Sequence, residues 1–442
     1  MKTFKLGGVH PEENKISENQ PIEALGLPKT VFIPISQHLG VPAKPLVDKG
    51  AKVKTGQLIA SGDGFISANV HSSVSGTVSK IDEVVDASGY KRKAIFIDVE
   101  GDEWEEGIDR SDVLKKECRL SAEEIIKKVN EQGIVGLGGA TFPSHVKLMV
   151  PKGKKADYLI INGVECEPYL TADHRLMLEK TEEIMVGISI QMKALDVKKA
   201  LIGIENNKPD AISKMSAAAS KYAGIEVHPL KVKYPQGGEK QLIKALINRE
   251  VPSGKLPIEV GCVVHNVGTS FAVYEAVQKN KPLFERVVTV TGKKLSKPSN
   301  FLVRIGTPVS ALIDAAGGLP ETTGKVVNGG PMMGKALSNL DAPVVKGTSG
   351  IIAFEEEISK RTAQMNCIRC ARCTQVCPLG LEPYLLALLS AKQDWEACEK
   401  NRIMDCMECG SCHYTCPSGR PLLDQIRVGK SKTGQMIRNR AK

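Results

Sequence analysis

Hydrophobic and polar positions change their rhythm along the chain. Residues 30 to 100 hold short β-branched runs punctuated by glycine. Within them, LVDKGAKVKTGQLIASGDGFISANVHSSVSGTVSKI carries two turn signals, KGAKVKTGQ and VSGTV, which predict a module of short strands. From Ser121 the period lengthens. Ser121-x-x-Glu124 is a capping box that predicts a helix through Gln132, with Gly133 ending it. Apolar runs at 158–163 (YLIING), 200–205 (ALIGIE) and 225–230 (IEVHPL) predict strands. Amphipathic stretches around 174–195 and 208–222 predict the helices between them. That alternation predicts βαβ units around a mainly parallel sheet. Residues 379 to 402 read as helices, with apolar spacing in PYLLALLSA.

Cysteine placement adds chemistry to this outline. Of twelve cysteines, Cys118, Cys166 and Cys262 are scattered and nine fall between Cys367 and Cys416, which is not a disulfide framework. Two runs match: Cys367-x2-Cys370-x2-Cys373-x3-Cys377-Pro378 and Cys406-x2-Cys409-x2-Cys412-x3-Cys416-Pro417. This is the spacing in which three close thiolates hold one [4Fe-4S] cubane and the fourth crosses to the other. It assigns Cys367, Cys370, Cys373 and Cys416 to one cluster, and Cys406, Cys409, Cys412 and Cys377 to the second. Zinc, which prefers two separated pairs in a tetrahedral array, fits two identical four-cysteine runs poorly. Cys398 stands outside both runs and reads as a packed thiol.

Length and charge narrow the picture further. At 442 residues, about three domains are expected. The net charge of +10 is modest, so it reads as a solvated surface, with a bias toward anionic partners as the alternative. No nucleic-acid partner is expected. The opening MKTFKLGGVHPEENK has no apolar core, so no signal peptide is expected, and no stretch approaches the ~20 apolar residues of a spanning helix. The tail from residue 427 to 442, with six basic residues and no acidic one, reads as a flexible solvated end. Attraction to a membrane surface is its alternative reading.

A second constellation lies in the α/β region. Gly136-Leu137-Gly138-Gly139-Ala140-Thr141-Phe142-Pro143 runs into a predicted helix carrying Lys147. Glycines let backbone N–H groups approach a phosphate, and a lysine one turn in could neutralise it. The loop is not the dinucleotide fingerprint, because Thr141 stands where the third glycine would be. Asn162-Gly163-Val164-Glu165-Cys166-Glu167-Pro168 follows the first strand, and Tyr234-Pro235-Gln236-Gly237-Gly238-Glu239-Lys240 opens another helix. Carboxylates at strand C-termini suit ribose hydroxyls or the edge of a flavin ring, and serve equally as caps and turns.

GLGGATFPSHVK resembles the flavin and NADH loop of the flavoprotein subunit of respiratory complex I. NGVECEPYLTADHR, YPQGGEKQ and HNVGTSFAVYEA are similar to further stretches of that subunit. The likeness implies that Gly136, Gly138, Gly139, Lys147, Asn162, Glu165, Gly238, Glu239 and Asn266 surround FMN, with Phe142 and Glu167 facing the nicotinamide nucleotide. Leu137 replaces an arginine of that family, Val164 an aspartate and Thr141 a glycine. Residues 30 to 100 resemble the barrel-sandwich modules of biotinyl and lipoyl carriers, but Ser61-Gly62-Asp63-Gly64 at the hairpin tip offers no lysine to modify. Residues 286 to 337 look like a soluble-ligand-binding β-grasp (SLBB) module.

In order and in the opening FKLGGVHPEENK, nearly the whole chain resembles the RnfC family, the C subunits of the Rnf complexes, which are membrane-bound ion-translocating ferredoxin:NAD oxidoreductases. The implied architecture is multidomain α/β plus β. An N-terminal region with a barrel-sandwich hybrid spans 1–115, and a Rossmann-like flavin/NADH domain spans 116–280. An SLBB β-grasp module at 281–345 and an α-helical two-cluster ferredoxin-like domain at 346–442 complete it. The resemblance further implies two [4Fe-4S] clusters, FMN and NAD(H), with the chain peripheral on the cytoplasmic face of the cell membrane. Its implied partners are the membrane and peripheral Rnf subunits, with ferredoxin reached indirectly. A soluble corrin reductase and a non-catalytic electron relay are the rival readings.

Overall fold

The computed structural model describes residues 1–440. Its centre is a four-stranded, all-parallel sheet in the order Ile225–Leu230, Ala200–Glu205, Tyr158–Asn162, Cys262–Asn266. Chain order thus runs outward through three strands, then the fourth returns to the far side of the first. The predicted strands fall where expected, because a parallel sheet covered on both faces demands continuous apolar runs. Leu159, Ile160, Ile161, Ile202 and Ile204 are fully buried, each worth about 1.5–3 kcal/mol. The helix Ala122–Glu131 carries both halves of the predicted capping box.

Two expectations need correction. The stretch 174–195 is two helices, Ala172–Glu179 and Thr181–Leu195, which meet at Lys180. There the Thr181 hydroxyl donates to the Met177 carbonyl at 2.6 Å, which stands in for a backbone bond at the break. The tail is not a flexible end: Leu422–Arg440 is a helix packed on Pro383–Ala391, while residues 441 and 442 lie outside the described residues. Gly429 sits so close to Ser390 that a Cβ there would overlap its hydroxyl, and Thr433 is fully buried. Three of its basic groups are answered by acids: Arg427 and Lys430 pair with Glu408, and Arg440 with Glu396 and Glu399.

The N-terminal β module folds as a four-stranded and a three-stranded sheet around Val31, Ile33, Ile59, Val78, Ile95 and Ile97. A six-stranded sheet follows the parallel domain. It takes in Ile22–Ala24 and Gly350–Glu355, from either side of 281–345, beside Glu285–Thr291 and Ser299–Arg304. Lys346, almost fully buried, fastens three modules together. Its Nζ donates to the carbonyls of Asn69 and Gly133, both at 2.7 Å, and burial pushes its pKa down to about 7.

Candidate functional site

In an open α/β sheet, ligands bind outside the strand C-termini where the strand order reverses. Here that point lies between Tyr158–Asn162 and Cys262–Asn266, and it brings Asn162 and Asn266 side by side in register. The Asn266 Oδ1 accepts from the N–H groups of Gly268 and Thr269, capping the helix Val267–Gln278. Its Nδ2 donates to Asp173 Oδ2 at 2.6 Å. The Asn162 amide donates to the Gly237 carbonyl and accepts from Val164 N–H, both at 3.0 Å.

The glycine loop lies over this pair. A Cβ on Gly138 would approach that of Asn266 to 3.3 Å, while one on Gly139 would enter open space. Gly138, Gly139 and Ala140 are exposed. Gly136 N–H donates to Phe142 O at 2.9 Å, closing the loop at its base. Leu137 and Val164, two departures from the complex I pattern, are buried among apolar neighbours. The third, Thr141, holds φ +51, so it adopts the left-handed backbone that a glycine would take freely.

Charge is arranged around the crevice. Lys147 Nζ pairs with Glu239 at 2.8 Å and donates to Val264 O at 3.0 Å. Gly238 is the N-cap of the helix Glu239–Ile247, and a Cβ there would strike the Met407 methyl at 2.6 Å. The Glu165 carboxylate accepts from the N–H groups of Asp173 and His174, capping the helix Ala172–Glu179. Asp173 is half-buried, and desolvation of its carboxyl with the nearby Glu165 charge raises its pKa to about 7. The structure thus brings Gly136, Gly138, Gly139, Lys147, Asn162, Glu165, Gly238, Glu239 and Asn266 to the region of the strand C-termini where the sheet order reverses.

Glu167 points another way. Its carboxylate accepts from Met332 N–H and Met333 N–H, both at 3.0 Å, and from the Tyr234 hydroxyl at 3.3 Å. Burial raises its pKa to about 7. The Tyr234 hydroxyl also donates to the Cys409 carbonyl at 2.8 Å. Cys166 accepts from Gly237 N–H at 3.4 Å and packs, with Val9, Met332 and Met407, against Tyr234 and Cys409. Tyr234 and Cys166 are thus the link between the crevice and the second cysteine run. Neither stands out as a link in the sequence, because their partners lie far away in the chain.

The two runs share one backbone conformation. The second residue after each first cysteine, Arg369 and Glu408, is left-handed, and so is the fourth, Ala371 and Gly410. Such alternation turns successive N–H groups to one side, as anionic sulfur requires. Glu408 N–H reaches Cys406 Sγ at 3.4 Å and Leu381 N–H reaches Cys377 Sγ at 3.3 Å. Burial and the charges of Cys409, Cys406, Cys377 and Cys373 raise the Cys412 pKa, and burial with the Cys416 charge raises that of Cys373. Among the described residues, no three such groups converge as tightly as a single metal ion would need. Cys367 and Cys370 are exposed, whereas Cys377, Cys409 and Cys412 are buried and burial raises the Cys406 pKa to about 11. Cys398 is fully buried beside Ser390, as expected of a packed thiol.

Comparison with known proteins matches three stretches of the chain, all before the cysteine runs. Residues 2–102 match the RnfC barrel-sandwich hybrid domain, 129–275 the Nuo51 FMN-binding domain, and 287–336 the SLBB domain. Over 71% of its length the chain superposes on 62% of a chain of an NAD+-reducing [NiFe]-hydrogenase, with TM-score 0.50 and 18% identity, a likeness of fold alone. It is 48% identical to the C subunit of a proton-translocating ferredoxin:NAD(+) oxidoreductase complex from Clostridium ljungdahlii, over 90% of this chain and 87% of that one. Against the C subunit of the Na(+)-translocating complex of Acetobacterium woodii the identity is 45%, over 97% and 96%. The C subunit of the ion-translocating oxidoreductase complex of Rhodobacter capsulatus is 43% identical, over 98% and 84%. Among the described residues no helix is long and apolar enough to cross a membrane. With relatives of this identity over nearly its whole length, the chain belongs to the RnfC family, the C subunits of Rnf-type ion-translocating ferredoxin:NAD oxidoreductases.

Proposed function

We propose that this chain is the peripheral electron-transfer subunit of such a complex, passing electrons between NAD(H), FMN and two [4Fe-4S] clusters. It would sit at the cytoplasmic face of the membrane among the other Rnf subunits, with ferredoxin reached through them. Its working modules would follow 1–115, 116–280, 281–345 and 346–442, with Ile22–Ala24 and Gly350–Glu355 contributed to the sheet of the third. The observation that carries this reading is the contact between the crevice and the second run, through Tyr234 and its bond to the Cys409 carbonyl.

A flavin is the chemical need here, because a nicotinamide delivers two electrons together and a cubane takes one. The crevice residues would hold it by backbone and amide groups: Gly138 and Gly139 by open N–H groups, Asn162 and Asn266 from the strand ends, Lys147 by charge. Phe142 would close the nicotinamide side, whereas Glu167, turned onto the Met332 and Met333 amides, would not face it. Cys367, Cys370, Cys373 and Cys416 would hold one cluster, and Cys406, Cys409, Cys412 and Cys377 the other. The test is anaerobic purification with NADH titration. About eight irons and one FMN per chain, with the flavin absorbance bleaching, is the expected result. Irons without a flavin, and no response to NADH, would leave only an electron relay.

A further inference from the structure

The N-terminal segment threads between the crevice and the cysteine runs. Lys2 bridges Leu230, Val9 exchanges both backbone bonds with Tyr234, and Gly8 N–H donates to Val376 O at 2.9 Å. The segment then delivers Lys15. Its Nζ donates to the carbonyls of Glu165 at 2.8 Å, Glu167 at 2.9 Å and Leu170 at 2.7 Å. An ammonium has three N–H donors, and all three are spent on one loop.

That loop needs holding. Glu165 stands at φ +46 and Tyr169 at φ +69, left-handed conformations that cost a residue with a side chain about 1–2 kcal/mol each. Such strain persists only where the surroundings over-determine it. Lys208, only 2% exposed, adds a fourth tie at 2.9 Å to the Val164 carbonyl. The loop's own side chains then reach outward, Cys166 to Gly237 and Glu167 to Tyr234 and the Met332 and Met333 amides. Lys15 is half-buried, and desolvation of its ammonium together with the Lys208 charge lowers its pKa to about 8.

We propose that Lys15 is a positioning residue for electron transfer, fixing the strained 163–170 loop so that Glu167 and Cys166 keep Tyr234 on the Cys409 carbonyl. The inference rests on the flavin and cluster reading above and adds a residue to it. Lys15 touches no reacting atom. It sets the distance between the crevice and the second cysteine run.

The experiment uses the full chain, purified anaerobically, as wild type, Lys15→Met and Lys15→Gln. Iron content, flavin content, KM for NADH, flavin bleaching and cluster reduction are measured in each. Lys15→Met is expected to keep its cofactors, its KM and its bleaching rate within about twofold while cluster reduction slows about threefold or more, since the rate of transfer depends on the held geometry. Lys15→Gln, which keeps N–H donors, is expected to fall between. Cluster reduction at wild-type speed in both variants would overturn the proposal. So would equal slowing of bleaching and cluster reduction, or failure of both variants to fold, either of which would assign Lys15 to general stability. A wild-type chain without flavin would instead overturn the underlying reading, and the proposal with it.

Discussion

The two cysteine runs have the same spacing, the same Cys-Pro ending and the same left-handed turns, yet they occupy different surroundings. The run from Cys367 to Cys377 begins in the open, with Cys367, Ile368 and Cys370 exposed. The run from Cys406 to Cys416 is wedged against Tyr234, Val9 and Met332. One residue shows what burial demands. The outer run carries Ala371 at its second left-handed turn, and the inner run carries Gly410, where a Cβ would lie 2.6 Å from the Met332 carbonyl. Equal motifs therefore specify equal local chemistry in unequal surroundings. The second run is enclosed against Tyr234. The first begins in the open and meets the helix Glu239–Ile247 at Pro378, whose carbonyl accepts from Gln241.

The sharpest way to break that comparison is to exchange these residues. Gly410→Ala is expected to cost about 2–5 kcal/mol, adding left-handed strain to an overlap with backbone. Ala371→Gly should stay within about 1 kcal/mol, since relief of strain offsets the added freedom of the unfolded chain. Denaturant midpoints of the two variants read the difference. Equal costs would mean that the inner run is not enclosed as described.

Glu167 tests the same enclosure through pH. Its pKa is raised from the ordinary 4.5 to about 7, so the folded chain keeps its proton to higher pH than the unfolded chain. Folding therefore takes up a proton between about pH 4.5 and 7, and stability falls as pH rises through that window. Glu167→Gln should remove that fall, a relative gain of order 3 kcal/mol above pH 7. Parallel stability-against-pH curves for the two proteins would contradict a buried Glu167.

Tyr234→Phe is the next smaller change. It leaves the Cys409 carbonyl and a Glu167 oxygen without their shared donor, for an expected loss of about 1–3 kcal/mol by chemical denaturation. Thr141→Gly is the smallest. Like Ala371, Thr141 keeps a side chain at a left-handed position, and glycine there should shift the melting midpoint by the equivalent of less than about 1 kcal/mol. A larger shift would mean that the threonine side chain itself holds the loop.

Much of this is legible in the amino-acid sequence alone. Regular period and fixed spacing carry far: the three apolar runs are strands at Tyr158–Asn162, Ala200–Glu205 and Ile225–Leu230, and Ser121 and Glu124 form their reciprocal cap. The crevice residues are legible by resemblance, and most gather at the reversal point of the sheet. What escapes depends on contacts distant in sequence. The basic tail reads as solvent-bound because its packing face is small, Gly429 and Thr433 rather than leucines. Lys15 reads as one surface lysine among many until the fold delivers three carbonyls from residues 165 to 170. The direction of Glu167, toward the Met332 amide instead of the crevice alone, has no local signal at all.

The most direct test of the inner and outer assignment is NADH-driven cluster reduction, followed by EPR, in two full-length variants. In Cys367→Ala the remaining inner cluster should be reduced at the wild-type rate. In Cys409→Ala the remaining outer cluster should be reduced about a hundredfold more slowly, or not at all, because its route from the crevice is gone. The reverse order, or equal rates in both, would contradict the account.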